Sequence, residues 1–201
     1  MQSRIVCFGD SNTYGYDPRD YCGGRLEKAV RWTGRLDALA DWEILNFGLD
    51  GREIPHTEAE LRAFEMVLAR SAPFAVLTVM LGTNDLFQMP QPDAEKITAR
   101  METLLRRALA HPAMRENGAR LLLLAPPALD LCGGAAEQRL SECALQLGER
   151  YRALAARLAI SFADAGAWGI TLSCDGVHFS EAGHAVFARR VDAALHRLLD
   201  V

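Results

Sequence analysis

The stretch VCFGDSNTYGYD, Val6 to Asp17, changes character at a single residue. Up to Phe8 it is apolar and unbroken; Gly9 stops the run, and three small polar residues follow, Asp10, Ser11 and Asn12. The run begins at Arg4 (RIVCFG, 4–9). Continuous rather than alternating, it reads as a strand covered on both faces and closed by a turn. The fold hangs on whether that pattern recurs. It does, in EILNFG (43–48), FAVLTVMLG (74–82), ARLLLLAPP (119–127) and ISFADA (160–165).

Amphipathic segments fill the intervals. EAELRAFEMVLARS (58–71) places Leu61, Phe64, Val67 and Leu68 at helical spacing. DAEKITARMETLLRRALAH (93–111) does the same with Ile97, Met101, Leu104, Leu105 and Leu109. EQRLSECALQLGERYRALAARL (137–158) is long and alanine-rich, and SEAGHAVFARRVDAALHRLL (180–199) opens on a serine suited to an N-cap. Residues 25–39 predict a further helix. Strand and helix in alternation predict a five-stranded parallel sheet with helices on both faces. With right-handed crossovers this is a three-layer α/β/α sandwich of the flavodoxin-like type. No linker, repeat or low-complexity segment interrupts it, so one domain over 1–201 is expected.

Composition narrows the function. A chain of 201 residues buries roughly 70% of its unfolded surface and needs neither disulfide nor metal to fold. Net charge is −4 with no basic block, which argues against nucleic acid and against anionic membrane surfaces. The five cysteines (Cys7, Cys22, Cys132, Cys143 and Cys174) are scattered and form no C-x-x-C pair. The N-terminus lacks the apolar stretch of a signal peptide, and the longest apolar run, ARLLLLAPPALDL, is broken by prolines and too short to span a bilayer. A reducing, cytoplasmic setting is expected.

In sheets of this kind ligands gather outside the carboxyl ends of the strands. Here those ends carry GDSNT, GLDGRE, GTND, APPALDL and, after a longer excursion, CDGVHFS. A serine hydroxyl is a poor nucleophile without a base, and the base needs an acceptor to orient it. His178 can serve Ser11 as base. Asp175, three residues before it across a turn that Gly176 permits, can orient the ring. Acyl transfer also needs donors for the oxyanion: the Asn84 amide, the Gly51 N–H and the N–H of Ser11 itself are candidates.

Each residue has an ordinary reading as well. Ser11 alone is a turn or cap residue, and Asp10 a cap of the same helix. Asp175 and Gly51 are turn residues, and Asn84 and Asp85 an N-cap pair. Their conjunction at strand ends favours catalysis. Asp175, His178 and His184 match no familiar metal spacing. His56, His111 and His196 are expected at the surface. GDSNTYG lacks the lysine of a phosphate loop, and Thr13 spoils a G-x-S-x-G elbow. Tyr14, Tyr16 and Trp32 either pack in the core or wall the substrate pocket. Arg52 either ties down its loop or meets an anionic substrate. DLFQM (85–89) is a candidate rim.

FGDSNT, GLDGRE, MLGTND and DGVHFS, in that order, resemble the four signature blocks of the SGNH (GDSL-type) hydrolase superfamily. VRWTGRL (30–36) with LGTND resembles more closely its small bacterial arylesterases and acyltransferases. The resemblance implies Ser11 as nucleophile, His178 as general base and Asp175 as third triad member, with Gly51 and Asn84 as oxyanion donors. It implies a serine esterase acting on short-acyl aryl or alkyl esters or an acetylated carbohydrate, through an acyl-enzyme and with no cofactor. Asp10, Tyr14, Tyr16, Trp32 and Arg52 are the candidates for substrate contact. The expected partner is a small ester, without nucleic acid or membrane span, and the arylesterase resemblance allows a homo-oligomer. Lysophospholipase or thioesterase action is the alternative within the superfamily; a non-catalytic flavodoxin-like ligand-binding module is the alternative outside it. Asn12 stands where the GDSL tetrad has leucine, and the chain is shorter than the acyltransferases, so hydrolysis is expected over transfer to other acceptors.

Overall fold

In the computed structural model, which describes residues 2–20, 22–39 and 41–200, the first strand is an interior one. β1 (Ser3–Gly9) lies between β2 (Trp42–Gly48) and β3 (Val76–Met80); β4 (Arg120–Ala125) and β5 (Ser161–Asp164) extend the sheet on the β3 side. Every pairing is parallel, and the order is β2-β1-β3-β4-β5. This is the flavodoxin-like order predicted, within a three-layer α/β/α sandwich. Gly9 is level with Gly48 on one side and Met80 on the other, so three of the polar strand ends emerge side by side.

The helices are α1 (Ser11–Tyr14), α2 (Trp32–Asp37), α3 (Glu58–Ser71), α4 (Thr83–Gln88), α5 (Ala94–Ala110), α6 (Pro112–Arg115), α7 (Ala135–Leu158) and α8 (Glu181–Leu199). Local chemistry sets their starts. Thr57 and Glu60 form a reciprocal capping box at α3, Asp93 accepts the Glu95 and Lys96 N–H groups at α5, and Ser180 accepts that of Gly183 at α8.

Alternation along β1 divides the core. Val6 and Phe8 join one cluster, with Phe64 of α3, Ile97 and Met101 of α5, and Leu147 of α7. Ile5 and Cys7 join the other, with Trp32 and Leu36 of α2 and Phe187 and Val191 of α8. Burying such a side chain contributes ~1.5–3 kcal/mol, so the unbroken apolar strands hold both layers. Among the described residues no helix is long and apolar enough to cross a membrane.

Residues 25–39 do not form the single helix predicted. Only Trp32–Asp37 is helical. Arg25 bridges to Tyr16, and the Leu26 N–H donates to the Gly15 carbonyl at 2.8 Å, which spends the first half on a loop over α1. The loop then folds across α2: a Cβ at Gly34 would lie 1.8 Å from the Lys28 carbonyl oxygen. His56 is exposed as expected, whereas His111 and His196 are half-buried. His111 caps α6 through Nδ1, and the His196 ring packs on Trp42 at 4.8 Å.

Candidate active site

β1 ends at Gly9 because nothing larger fits. A Cβ there would sit 2.2 Å from Thr13 Oγ1 and 3.0 Å from the Met80 carbonyl. Asp10 then caps α1, its Oδ1 accepting the Asn12 N–H at 3.0 Å. The turn ends at Gly15 in the left-handed region (φ +88°). Ser11 therefore occupies the first position of a short helix held rigidly against the sheet edge.

His178 reaches it from the other end of the chain. Nε2 of His178 lies 2.9 Å from Ser11 Oγ, and Nδ1 lies 2.5 Å from Asp175 Oδ2. The other oxygen, Asp175 Oδ1, accepts the N–H groups of Val177 and His178 at 3.0 Å each. The network fixes the tautomer: Nδ1–H donates to the carboxylate, leaving Nε2 to accept the Ser11 hydroxyl proton. Burial pushes the Asp175 carboxyl up, but the His178 ring and the two amide hydrogens outweigh it, leaving the group below its ordinary value. Gly176 makes the turn at φ +67°, and a Cβ on it would lie 1.9 Å from the Asp130 carbonyl. The Asp130 N–H in turn donates to the Gly176 carbonyl at 2.9 Å, so the loop after β4 leans directly on the histidine loop. The Tyr16 ring lies over His178, with centroids 4.7 Å apart.

The second group of predicted residues converges on the turn after β2. Asn84, in the first turn of α4, donates through Nδ2 to the Arg52 carbonyl at 3.0 Å. Gly51, one residue earlier, adopts φ +69° with open space where a side chain would point. Asp85 is fully buried; it accepts the Ile54 N–H at 2.9 Å and pairs with Arg100 at 2.8 Å. Arg100 also reaches Glu53 at 3.1 Å. Burial raises the Asp85 carboxyl in spite of those partners.

Arg52 turns inward. Its Nη1 donates to the carbonyls of Gly9, at 2.9 Å, and Phe47, and its guanidinium stacks 4.2 Å over the Phe8 ring. It ties the turn to the ends of β1 and β2, and burial lowers its pKa to about 10. Of the two readings of Arg52, these bonds match the one in which it ties down its loop.

Two more of the predicted substrate contacts, Trp32 and Asp10, are buried. Trp32 has no exposed surface; it packs on Phe187 at 4.9 Å and donates from Nε1 to the Asn12 carbonyl at 3.1 Å, supporting α1 from behind. Asp10 is 1% exposed, and burial pushes its carboxyl up to about 6, against the Asn12 N–H and the charges of His178 and Arg52. Its role is the cap. Tyr14 lies under the Arg25 guanidinium, 4.2 Å from its ring centroid, and keeps partial exposure, as does Tyr16. His184 is buried, accepts the Trp32 N–H on Nδ1 at 3.3 Å, and is lowered to about 4 by burial, then by nearby Arg35 and Arg31. Among the described residues no group of three His, Cys, Asp or Glu side chains is placed to hold a metal ion.

Sequence reasoning missed two residues. Asn12 bonds to the backbone on either side of His178, and the one signal for it was an asparagine in place of the tetrad's leucine. Arg100, on the polar face of α5, carried no signal at all. At the rim, Leu49 and Phe87 are exposed large apolar side chains, one beside each donor segment. A cavity of about 570 Å³ lies beyond Phe87, between the loop after α4 and the first half of α7; Ser11 and His178 are not part of its lining.

Residues 7–186 match the model of the GDSL-like Lipase/Acylhydrolase family. Among solved structures, that of a carbohydrate acetylesterase family member from Sinorhizobium meliloti is 27% identical, covers 100% of both chains and superposes with a TM-score of 0.86. The native M. smegmatis aryl esterase is 28% identical over 95% of this chain and 99% of its own, with a TM-score of 0.78. Est24, a carbohydrate acetylesterase from Sinorhizobium meliloti, shares the fold at 24% identity over 98% of this chain and 100% of its own, with a TM-score of 0.84. A search of curated proteins gave no match.

Proposed function

The chain belongs to the GDSL-like lipase/acylhydrolase family, the SGNH hydrolases, and is a carboxylic ester hydrolase; from that premise we propose that Ser11, His178 and Asp175 form the catalytic triad of an esterase for short-acyl esters. The observation that carries the reading is the unbroken chain of contacts from Ser11 Oγ through the imidazole to Asp175, at 2.9 and 2.5 Å. The whole family-matched span, within one SGNH-hydrolase-like domain over 1–201, contributes to it.

His178 Nε2 takes the Ser11 proton as Oγ attacks the ester carbonyl, and Asp175 stabilises the imidazolium that forms. The N–H groups of Ser11 and Gly51 and the second Nδ2 hydrogen of Asn84 receive the negative oxygen. The bond from Asn84 to the Arg52 carbonyl uses only one amide hydrogen and aims the other. The tetrahedral intermediate collapses, His178 protonates the departing alcohol, and Ser11 keeps the acyl group. Water, deprotonated by the same imidazole, then releases the acid and regenerates Ser11.

The short-acyl preference rests on the compact segments between strands and is in keeping with the acetylesterase neighbour. A p-nitrophenyl ester series from acetate to palmitate, run on wild type and Ser11→Ala, tests it. Turnover is expected to peak at acetate or butyrate and to vanish in the variant. A fluorophosphonate is expected to add one adduct, seen by intact mass, to wild type alone. A maximum at long chains would favour a lysophospholipase or thioesterase. Absence of both turnover and adduct would favour a binding module.

A further inference from the structure

The residue that departs from the tetrad is the one most fully engaged. Asn12 is 4% exposed, and each of its four polar atoms has a partner. Its N–H donates to Asp10 and its carbonyl accepts from Trp32 Nε1. Its side chain crosses to the far end of the chain: Oδ1 accepts the Phe179 N–H at 2.8 Å, and Nδ2 donates to the Val177 carbonyl at 3.3 Å. Only one orientation of the amide satisfies both partners, so the network fixes it.

The arithmetic of position matters. Asn12 is the neighbour of Ser11, while Val177 and Phe179 are the neighbours of His178. One side-chain amide thus grips the backbone on both sides of the imidazole from one residue past the hydroxyl. Within its own loop, His178 is oriented by Asp175, three residues away. Nothing in that local pair fixes the distance to Ser11, which lies 167 residues away in sequence. We infer that Asn12 is a positioning residue whose side-chain amide sets the separation of Ser11 and His178. The inference rests on the reading of those two residues as nucleophile and base.

A leucine at position 12 fills similar space but leaves the buried Phe179 N–H and the partly buried Val177 carbonyl without their partner, and the two segments lose both bonds that flank the imidazole. A displacement of ~1 Å at a reacting pair costs about 10²-fold in rate. The test is a four-variant cycle: wild type, N12L, H178A and N12L/H178A. The readouts are the first-order rate of fluorophosphonate labelling, the first-turnover release of p-nitrophenol from p-nitrophenyl acetate, and KM for that ester.

N12L is expected to slow labelling and the first turnover by roughly 10²-fold, with KM within about twofold of wild type. In the H178A background, where there is no imidazole to place, the same substitution is expected to change labelling by less than about twofold. A residue that merely supported the fold would slow both backgrounds and raise KM. N12L labelling at the wild-type rate, or an equal loss in both backgrounds, overturns the inference while leaving the triad reading intact. H178A labelling at the wild-type rate overturns the triad reading instead. If N12L does not fold, N12D, which keeps the size and the acceptor for Phe179, takes its place. A loss of about tenfold confined to the histidine-containing background is then expected, and no loss overturns the clamp.

Discussion

Ser11 and His178 are brought together by an uncharged amide, that of Asn12. Gly51 sits on, and Asn84 of α4 donates to, a turn held by Arg52, Asp85, Arg100 and Glu53, all of them charged. The contrast follows from what each half does in the proposed reaction. A proton moves in the first half and an imidazolium forms there; the ionised group beside it is Asp175, whose charge favours that imidazolium, while the join to Ser11 carries none. The second half moves no proton and must only keep donors aimed, and paired charges locked to backbone groups do that well. Asp10 is the exception: a second carboxyl in the first half, buried and raised where Asp175 is lowered.

Substitution should separate the halves, beginning with kinetics. Asp175→Asn is expected to lower kcat by about 10⁴-fold, because the tautomer that presents Nε2 to Ser11 is lost. Asn84→Ala is expected to lower kcat by only ~10²–10³-fold, the loss of one oxyanion donor. Equal losses measured on p-nitrophenyl acetate would erase the division of labour.

Stability should rank the halves the other way. Arg100→Met leaves Asp85 buried without its cation, and a loss of about 3 kcal/mol is expected in urea melts at pH 7, at the low end for a buried pair because Arg100 is partly exposed. Asp175→Asn, at a half-exposed site, is expected to change the same melt by less than about 1 kcal/mol. A stable Arg100→Met protein would mean that the turn is held by packing and not by its charges.

The smallest effect concerns the exception. Asp10 is raised from 3.8 to about 6 in the folded state. Between those values the unfolded chain has released the proton and the folded one has not, so this carboxyl's contribution is lost as pH rises. His184 is lowered from 6.5 to about 4. The unfolded chain then takes up the proton first, and the histidine's contribution is lost as pH falls through that range. Over roughly pH 4–6 the two slopes oppose, each at most ~1.4 kcal/mol per pH unit. Denaturant melts at pH 4, 5 and 6 should show His184→Gln losing stability as pH rises relative to wild type, and Asp10→Asn losing it as pH falls. Parallel profiles in the two variants would refute the assignment.

The strands were legible because a buried parallel strand announces itself as an unbroken apolar run. The long helices were legible because their apolar stripes repeat at helical spacing. Residues 25–31 misled because a loop that packs over α2 has the same mixed composition as a helix face, and Gly34, which admits it, looks like any glycine. At the candidate site, Ser11, His178, Asp175 and Asn84 could be nominated from polar residues at strand ends. Which way a side chain turns could not be read. Trp32 read equally well as core or pocket wall, and Arg52 as loop tie or anion contact; the direction in which each turns appears only in the fold. Asn12 needed both chain ends in view at once.

The wedge of Gly176 against the Asp130 carbonyl sets where this enzyme can be remodelled. Between Ala125 and Asp130 the loop is a spacer of fixed length: an inserted residue would be transmitted through the Gly176 contact to the imidazole. Leu131 still borders the wedge, its N 3.3 Å from where a Cβ on Gly176 would lie, whereas Cys132, Gly133 and Gly134 are exposed and precede α7. Length changes at those three exposed positions leave the Gly176 wedge in place, so grafting efforts should begin there.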